Sequence, residues 1–186
     1  SSDVCSSDLN YTILTPADGY QTYKAVQMAA EINGPVYVRA GSGREANVYE
    51  KDAPFSPEGI TILREYGDDT LLLSSGFVLE RVLAAADLLK EQGVNVTVGD
   101  INILYGKNPE KIVEAIKKAK KIVTVEDHNE NGGLGAYISK LATEHAPKFV
   151  KRMGLTTFGE SGPAKELADF YGFSPENIVK TVKENL

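Results

Sequence analysis

Glu126, Asp127 and His128 stand in a row at the end of a short apolar run, and Gly132, Gly133 and Gly135 follow closely. A glycine-rich turn ahead of a helix can cradle phosphate, because the first N–H groups of the helix are free and carry partial positive charge. The spacing here is not G-x-G-x-x-G, and Glu126, Asp127 and Glu130 precede the turn. Three carboxylates in the approach repel phosphate. The glycines therefore read as positions that let loop and helix pack close to a neighbour. Beside two acids, His128 has the makings of an acid–base group or a metal ligand. The other histidine, His145, falls on a helix end, so His128 reads as a polar strand-end residue held in a hydrogen bond.

Arg39 is the second candidate. It closes the run Pro35–Arg39 and is followed by Ala40-Gly41-Ser42-Gly43-Arg44. A guanidinium beside glycines can grip a phosphate or a carboxylate through two parallel N–H bonds. A surface arginine paired with a nearby acid fits the local sequence equally well. No Ser–His–Asp order with an elbow, no paired-cysteine metal spacing and no P-loop is present, so the motifs name no reaction and no catalytic residue.

The elements that must position these residues follow from periodicity. Ile122, Val123 and Val125 predict a strand buried on both faces, and Ala136, Tyr137, Ile138 and Leu141 the helix after it. Upstream, Thr12–Leu14 and Pro35–Arg39 predict strands around a helix. Asp18 and Gln21 form its capping box, Tyr23, Val26 and Ala30 its buried face, and Asn33-Gly34 its stop. Ala46–Pro57 reads as a connector. Ile60, Ile62 and Leu63, then Gly67-Asp68-Asp69, then Thr70–Ser74 predict an antiparallel pair at a sheet edge. A helix carrying Val78, Leu79, Val82, Leu83, Ala86 and Leu89 ends at Gly93. Val94–Val98 is a strand, Asn102–Lys107 a loop, and Asn108 caps a helix with Pro109 at its first position. Lys148–Met153 is the last strand. Helices follow from Ser161-Gly162-Pro163 to Gly172 and from Ser174, the latter burying Ile178, Val179 and Val182. From residue 68 onward this is an α/β pattern with a mostly parallel sheet, whose ligands gather beyond the carboxyl ends of the strands.

Composition narrows the classes. A net charge of −6 argues against a nucleic-acid partner. The cluster Lys117, Lys118, Lys120 and Lys121 reads as a solvated helix end, where cations suit the dipole. No apolar run reaches the roughly 20 residues of a membrane span, no signal-peptide pattern opens the chain, and the single cysteine, Cys5, fits a reducing compartment. Those features predict a cytoplasmic protein with no membrane partner. Residues 1–9, SSDVCSSDL, repeat a tripeptide without hydrophobic pattern. They read as a non-native adapter-like sequence, which would put more of the gene upstream, or as a disordered leader.

The order of these segments resembles a known family. TPADGYQTYKAVQMAAEINGPVYVR resembles the last β-α-β segment of the pyrimidine-binding domain of transketolase-like thiamine diphosphate enzymes. DDTLLLSSGFVLERVLAAADLL, IVTVEDHNENGGLG and FGESGPAKELADFYGFSPENIV resemble the transketolase C-terminal domain. The resemblance implies a leader at 1–9, a pyrimidine-domain remnant at 10–45, a linker at 46–58 and a three-layer C-terminal domain at 59–186. It implies an enzyme that moves a two-carbon ketol unit between sugar phosphates in the pentose phosphate pathway, using thiamine diphosphate and Mg2+. This chain would be inactive alone and would bind no cofactor by itself. Its partners would be an N-terminal diphosphate-binding subunit or domain and a second copy of the enzyme. The family's substrate-phosphate arginine carries over to Arg39, with Arg44 a weaker candidate. Glu126, His128, Gly132, Gly133 and Gly135 fall to an interface or packing role. A deoxyxylulose-phosphate synthase, the β subunit of a 2-oxo-acid dehydrogenase and a non-catalytic interaction module are the alternatives.

Overall fold

The structure is a computed structural model that describes residues 10–41, 46–106 and 108–185. Arg44 and residues 1–9 lie outside the described residues.

Short β-branched runs near the start build a narrow sheet. Strand β1 (Thr12–Leu14) pairs in parallel with β2 (Val36–Val38), and helix α1 (Gly19–Glu31) connects them. Asp18 caps α1, its Oδ1 accepting from Gln21 N at 2.8 Å. The box is only half made, because the Gln21 side chain donates to the Ala53 carbonyl instead. The buried face of α1 also differs from expectation. Gln21 and Ala25 are buried, whereas Tyr23 is 64% and Val26 55% exposed. A sheet of three short strands covers one stripe of the helix, at 21, 25, 28 and 29, and the stripe at 23, 26 and 30 lies on the opposite side.

The larger sheet has the order β3-β5-β4-β7-β8. Its strands are β3 (Ile60–Glu65), β4 (Thr70–Ser75), β5 (Val96–Ile101), β7 (Lys121–Asn129) and β8 (Val150–Leu155). All pairings are parallel except β3 with β5. The β4 strand alternates its leucines between two cores. Leu72 joins α2 (Leu79–Glu91) and α6 (Pro175–Glu184) on one face. Leu71 and Leu73 join α3 (Glu110–Lys118) and α4 (Leu134–His145) on the other. This is a three-layer α/β fold, as expected, and α5 (Ala164–Phe170) lies at its surface with no buried residue.

Several local expectations are corrected. The β3 strand is antiparallel and at an edge, but its partner is β5, not β4. Every residue of β4 is buried, so it takes a central place between β5 and β7, while half-exposed β3 goes to the rim. The β5 strand runs to Ile101, beyond the expected end at Val98. Within the expected loop 102–107, Ile103–Leu104 form β6, which pairs antiparallel with β1. The first unit therefore shares its sheet with a strand from the second. Helix α3 begins at Glu110 after Pro109, without a side-chain cap. Lys117 and Lys118 occupy its last turn, but Lys120 pairs with Asp69 at 2.6 Å and Lys121 opens β7. Among the described residues no helix is long and apolar enough to cross a membrane.

Candidate functional site

The groups singled out in the sequence meet at the carboxyl edge of the larger sheet. Strand β7 carries Glu126 inward, 1% exposed, toward the start of α4. Its Oε2 accepts from Leu134 N at 2.6 Å and its Oε1 from Gly135 N at 2.8 Å. The carboxylate thus fills the position where a helix N-terminus would hold an anion. Burial pushes its pKa up to about 7 against the pull of the two N–H groups. The glycines permit this fit. A Cβ at Gly133 would lie 2.0 Å from Glu126 Oε2, and one at Gly135 would lie 2.7 Å from Arg152 Cγ and Cδ. Gly132, at φ +97°, offers its carbonyl to the Tyr105 hydroxyl at 3.0 Å. Close packing of loop and helix is what these positions provide.

His128 is half-exposed, with Nδ1 2.9 Å from the Asn129 carbonyl. Among the described residues no group of three or more His, Cys, Asp or Glu side chains could hold a metal ion.

Arg39, just beyond β2, meets Asp127 of β7. Its Nη1 donates to Oδ1 at 3.0 Å, and its Nη2 to Oδ2 at 2.9 Å and to the Asp127 carbonyl at 3.2 Å. The side chains are 19% and 11% exposed. Burial works against the charge on Arg39, but Asp127 outweighs it and holds the guanidinium above its ordinary pKa. The Phe77 ring lies 5.8 Å from the guanidinium carbon, and a Cβ at Gly76 would come within 3.1 Å of Nη1. Sequence reasoning placed Asp127 at this tip but not against Arg39, because 88 residues separate the two.

A second polar knot joins the same units, and sequence reasoning missed it. Asp18 Oδ2 accepts from Val48 N at 2.9 Å and Tyr49 N at 2.8 Å, folding the connector onto the cap of α1. The Tyr49 hydroxyl then donates to Asp100 Oδ2 at 2.7 Å. Asp100 is fully buried, and that burial lifts its pKa to about 7. The available signal was an acid two residues past the predicted end of a buried strand. A hollow of about 290 Å³ is lined by Pro16, Asp18, Thr22, Ala40, Gly41 and Phe77.

The family profile of the transketolase C-terminal domain matches residues 59–178, from the start of β3 into α6. The chain belongs to the transketolase C-terminal domain family. A Methanocaldococcus jannaschii protein that carries the name of a transketolase C-terminal section is 33% identical, over 95% of this chain and 56% of that protein. One of the subunits of the apulose-4-phosphate transketolase of Actinobacillus succinogenes is 30% identical, over 91% of this chain and 55% of that one. A solved split-gene transketolase chain, described as an inactive β4 tetramer, superposes with a TM-score of 0.84. It is 31% identical, over 94% of this chain and 56% of its own. The chain thus spans about half the length of these relatives. Their matches extend beyond the family domain at 59–178.

Proposed function

We propose that this chain works as the C-terminal half of a split transketolase-type enzyme, joined to a partner that supplies the diphosphate-binding half. The observation that carries this reading is the pattern of coverage. Relatives named as a transketolase C-terminal section and as a separate transketolase subunit match nearly all of this chain, and the chain reaches just over half of each. In this reading residues 10–45 are the end of a pyrimidine-binding domain, 46–58 the linker and 59–186 the C-terminal domain. The completed cytoplasmic enzyme, with two copies of each half, transfers a two-carbon ketol unit between sugar phosphates. Thiamine diphosphate, with Mg2+, supplies the electron sink for that transfer.

The described residues do not fit that cofactor. The helix terminus best placed for a diphosphate is filled by Glu126, and no acid cluster among them is arranged for the metal. What this edge does chemically is hold charges in pairs and fix two chain segments against each other. Arg39 is assigned the phosphate of the sugar, with Arg44 the weaker candidate. Because Asp127 already engages both terminal nitrogens of Arg39, the phosphate must use the remaining N–H groups or loosen the pair.

Calorimetry tests the division of labour. The isolated chain is expected to show no saturable thiamine diphosphate binding. Addition of a diphosphate-binding subunit should produce cofactor binding and ketol transfer together. Tight cofactor binding by the chain alone overturns the proposal.

A further inference from the structure

We infer that Asp127 is a positioning residue that latches the β2 end of the first unit onto the larger sheet and holds Arg39 in place for the sugar phosphate. The seam between the units is asymmetric. On the β1 side it is a ladder of two residue pairs, Ile13 with Leu104 and Leu14 with Ile103. Thr15 reinforces that side, its N–H bonding the Asn102 carbonyl at 2.9 Å and its Oγ1 the Ile101 carbonyl at 2.8 Å. The Asp18–Tyr49–Asp100 knot adds to that side, and none of these bonds reaches the β2 end of the unit.

Arg39 and Asp127 close the opposite side. The pair is bidentate, has a third bond to the Asp127 main chain, and is mostly buried. A fork-to-carboxylate contact fixes angle as well as distance, which a single hydrogen bond does not. Phe77 and Gly76 complete the seat, the glycine leaving no space for a side chain beneath Nη1. Asp127 therefore acts on the substrate through Arg39 and the seam, without touching the sugar.

The phosphate part of this inference rests on the proposed transketolase function, whereas the latch does not. Two readouts keep them apart. In the isolated chain, Asp127→Asn is expected to speed amide hydrogen exchange in residues 36–41 by about tenfold or more, since a broken latch lets this segment open locally. Exchanging the charges, Arg39→Asp with Asp127→Arg, should restore much of the protection. Unchanged exchange in Asp127→Asn overturns the latch whatever the enzyme does. In the reconstituted enzyme, Asp127→Asn is expected to raise KM for phosphorylated sugars by about tenfold to a hundredfold, the cost of a displaced binding group. The value for unphosphorylated sugars and kcat should change little. The charge exchange should leave KM for phosphorylated sugars high, because the cation is then on the wrong strand. Normal KM in Asp127→Asn, or full KM rescue by the exchange, overturns the positioning role. Faster exchange in residues 36–41 alongside a wild-type complex that shows no ketol transfer overturns the functional reading and leaves the latch standing.

Discussion

Glu126→Gln is expected to destabilise the protein by about 1–3 kcal/mol, the cost of one unsatisfied buried donor, and Glu126→Ala by more. The carboxylate has one oxygen for each of two buried N–H donors, at Leu134 and Gly135. An amide keeps one acceptor and turns an NH2 group toward the other N–H, so a donor faces a donor. Alanine leaves both N–H groups unpaired, and each unsatisfied buried group costs about 1–3 kcal/mol. Gly133→Ala should do comparable damage by another route, since its Cβ needs the space that Oε2 occupies, 2.0 Å away. The two lesions are one lesion. Once the alanine has pushed the carboxylate off the helix terminus, removing that carboxylate has little left to break. The Glu126→Ala/Gly133→Ala double variant should therefore fall short of the sum of the singles by more than about 1 kcal/mol. Urea titrations followed by circular dichroism measure this directly, and additive losses would show that the glycine is not there for the carboxylate.

The same pair shows what the sequence could and could not reveal. The acids before the turn argue against a phosphate loop, and the glycines argue for close packing. That Glu126 is itself the anion at the helix terminus needed the register of β7 against α4. Local signals decide two helix starts but not a third, since α3 begins at Glu110 without the side-chain cap expected from Asn108. Asp18 and Ser174 cap the helices they were expected to start, accepting from Gln21 N and Asn177 N. The buried run at Ile122–Val125 is a central-sheet strand. Most of the other failures are long-range choices. Nothing near Ile60 says that its strand will pair with residues near Ile101 rather than with the strand across the next turn. A two-residue strand such as Ile103–Leu104 has no period to detect, and its partner β1 lies far upstream in the chain. Tyr23 and Val26 form an apolar stripe that looks buried, but the helix turns its other stripe, at Ala25, Met28 and Ala29, to the sheet. Arg39 was left between two readings because its acid is distant in sequence. The family, by contrast, was legible only from the order of whole segments, since no single motif here specifies a reaction.

Stability is expected to fall as pH rises from about 4 to about 7, and Asp100 supplies a separable part of that slope. A carboxyl with no water around it favours the neutral form. The groups facing Asp100 are the Tyr49 hydroxyl, which donates to Oδ2, and the negative Asp18, which disfavours a second charge. Oδ1 has no hydrogen-bond partner among the described residues, and neither has the hydroxyl of Ser74, its registered neighbour on β4. A proton on Asp100 therefore meets an environment short of a donor, whereas a negative charge meets a single hydroxyl. With the folded pKa at about 7 and the unfolded one near 3.9, the folded state holds the extra proton between those values. The stabilisation is complete below pH 4 and is lost as pH climbs through 7. Over that window the loss is on the order of 2–4 kcal/mol. Glu126, also at about 7, adds a loss of the same sign. Asp100→Asn keeps the shape and an acceptor for Tyr49 but cannot ionise. Its stability relative to wild type should rise steadily between pH 4 and pH 8, and by pH 8 the variant should be the more stable of the two. Tyr49→Phe, which removes the one donor to the charged form, should cost more at pH 8 than at pH 4. Urea midpoints at half-unit steps of pH decide the matter. If wild type and Asp100→Asn trace parallel curves, Asp100 does not change charge in this range, and the buried knot at Tyr49 holds an ionised carboxylate throughout.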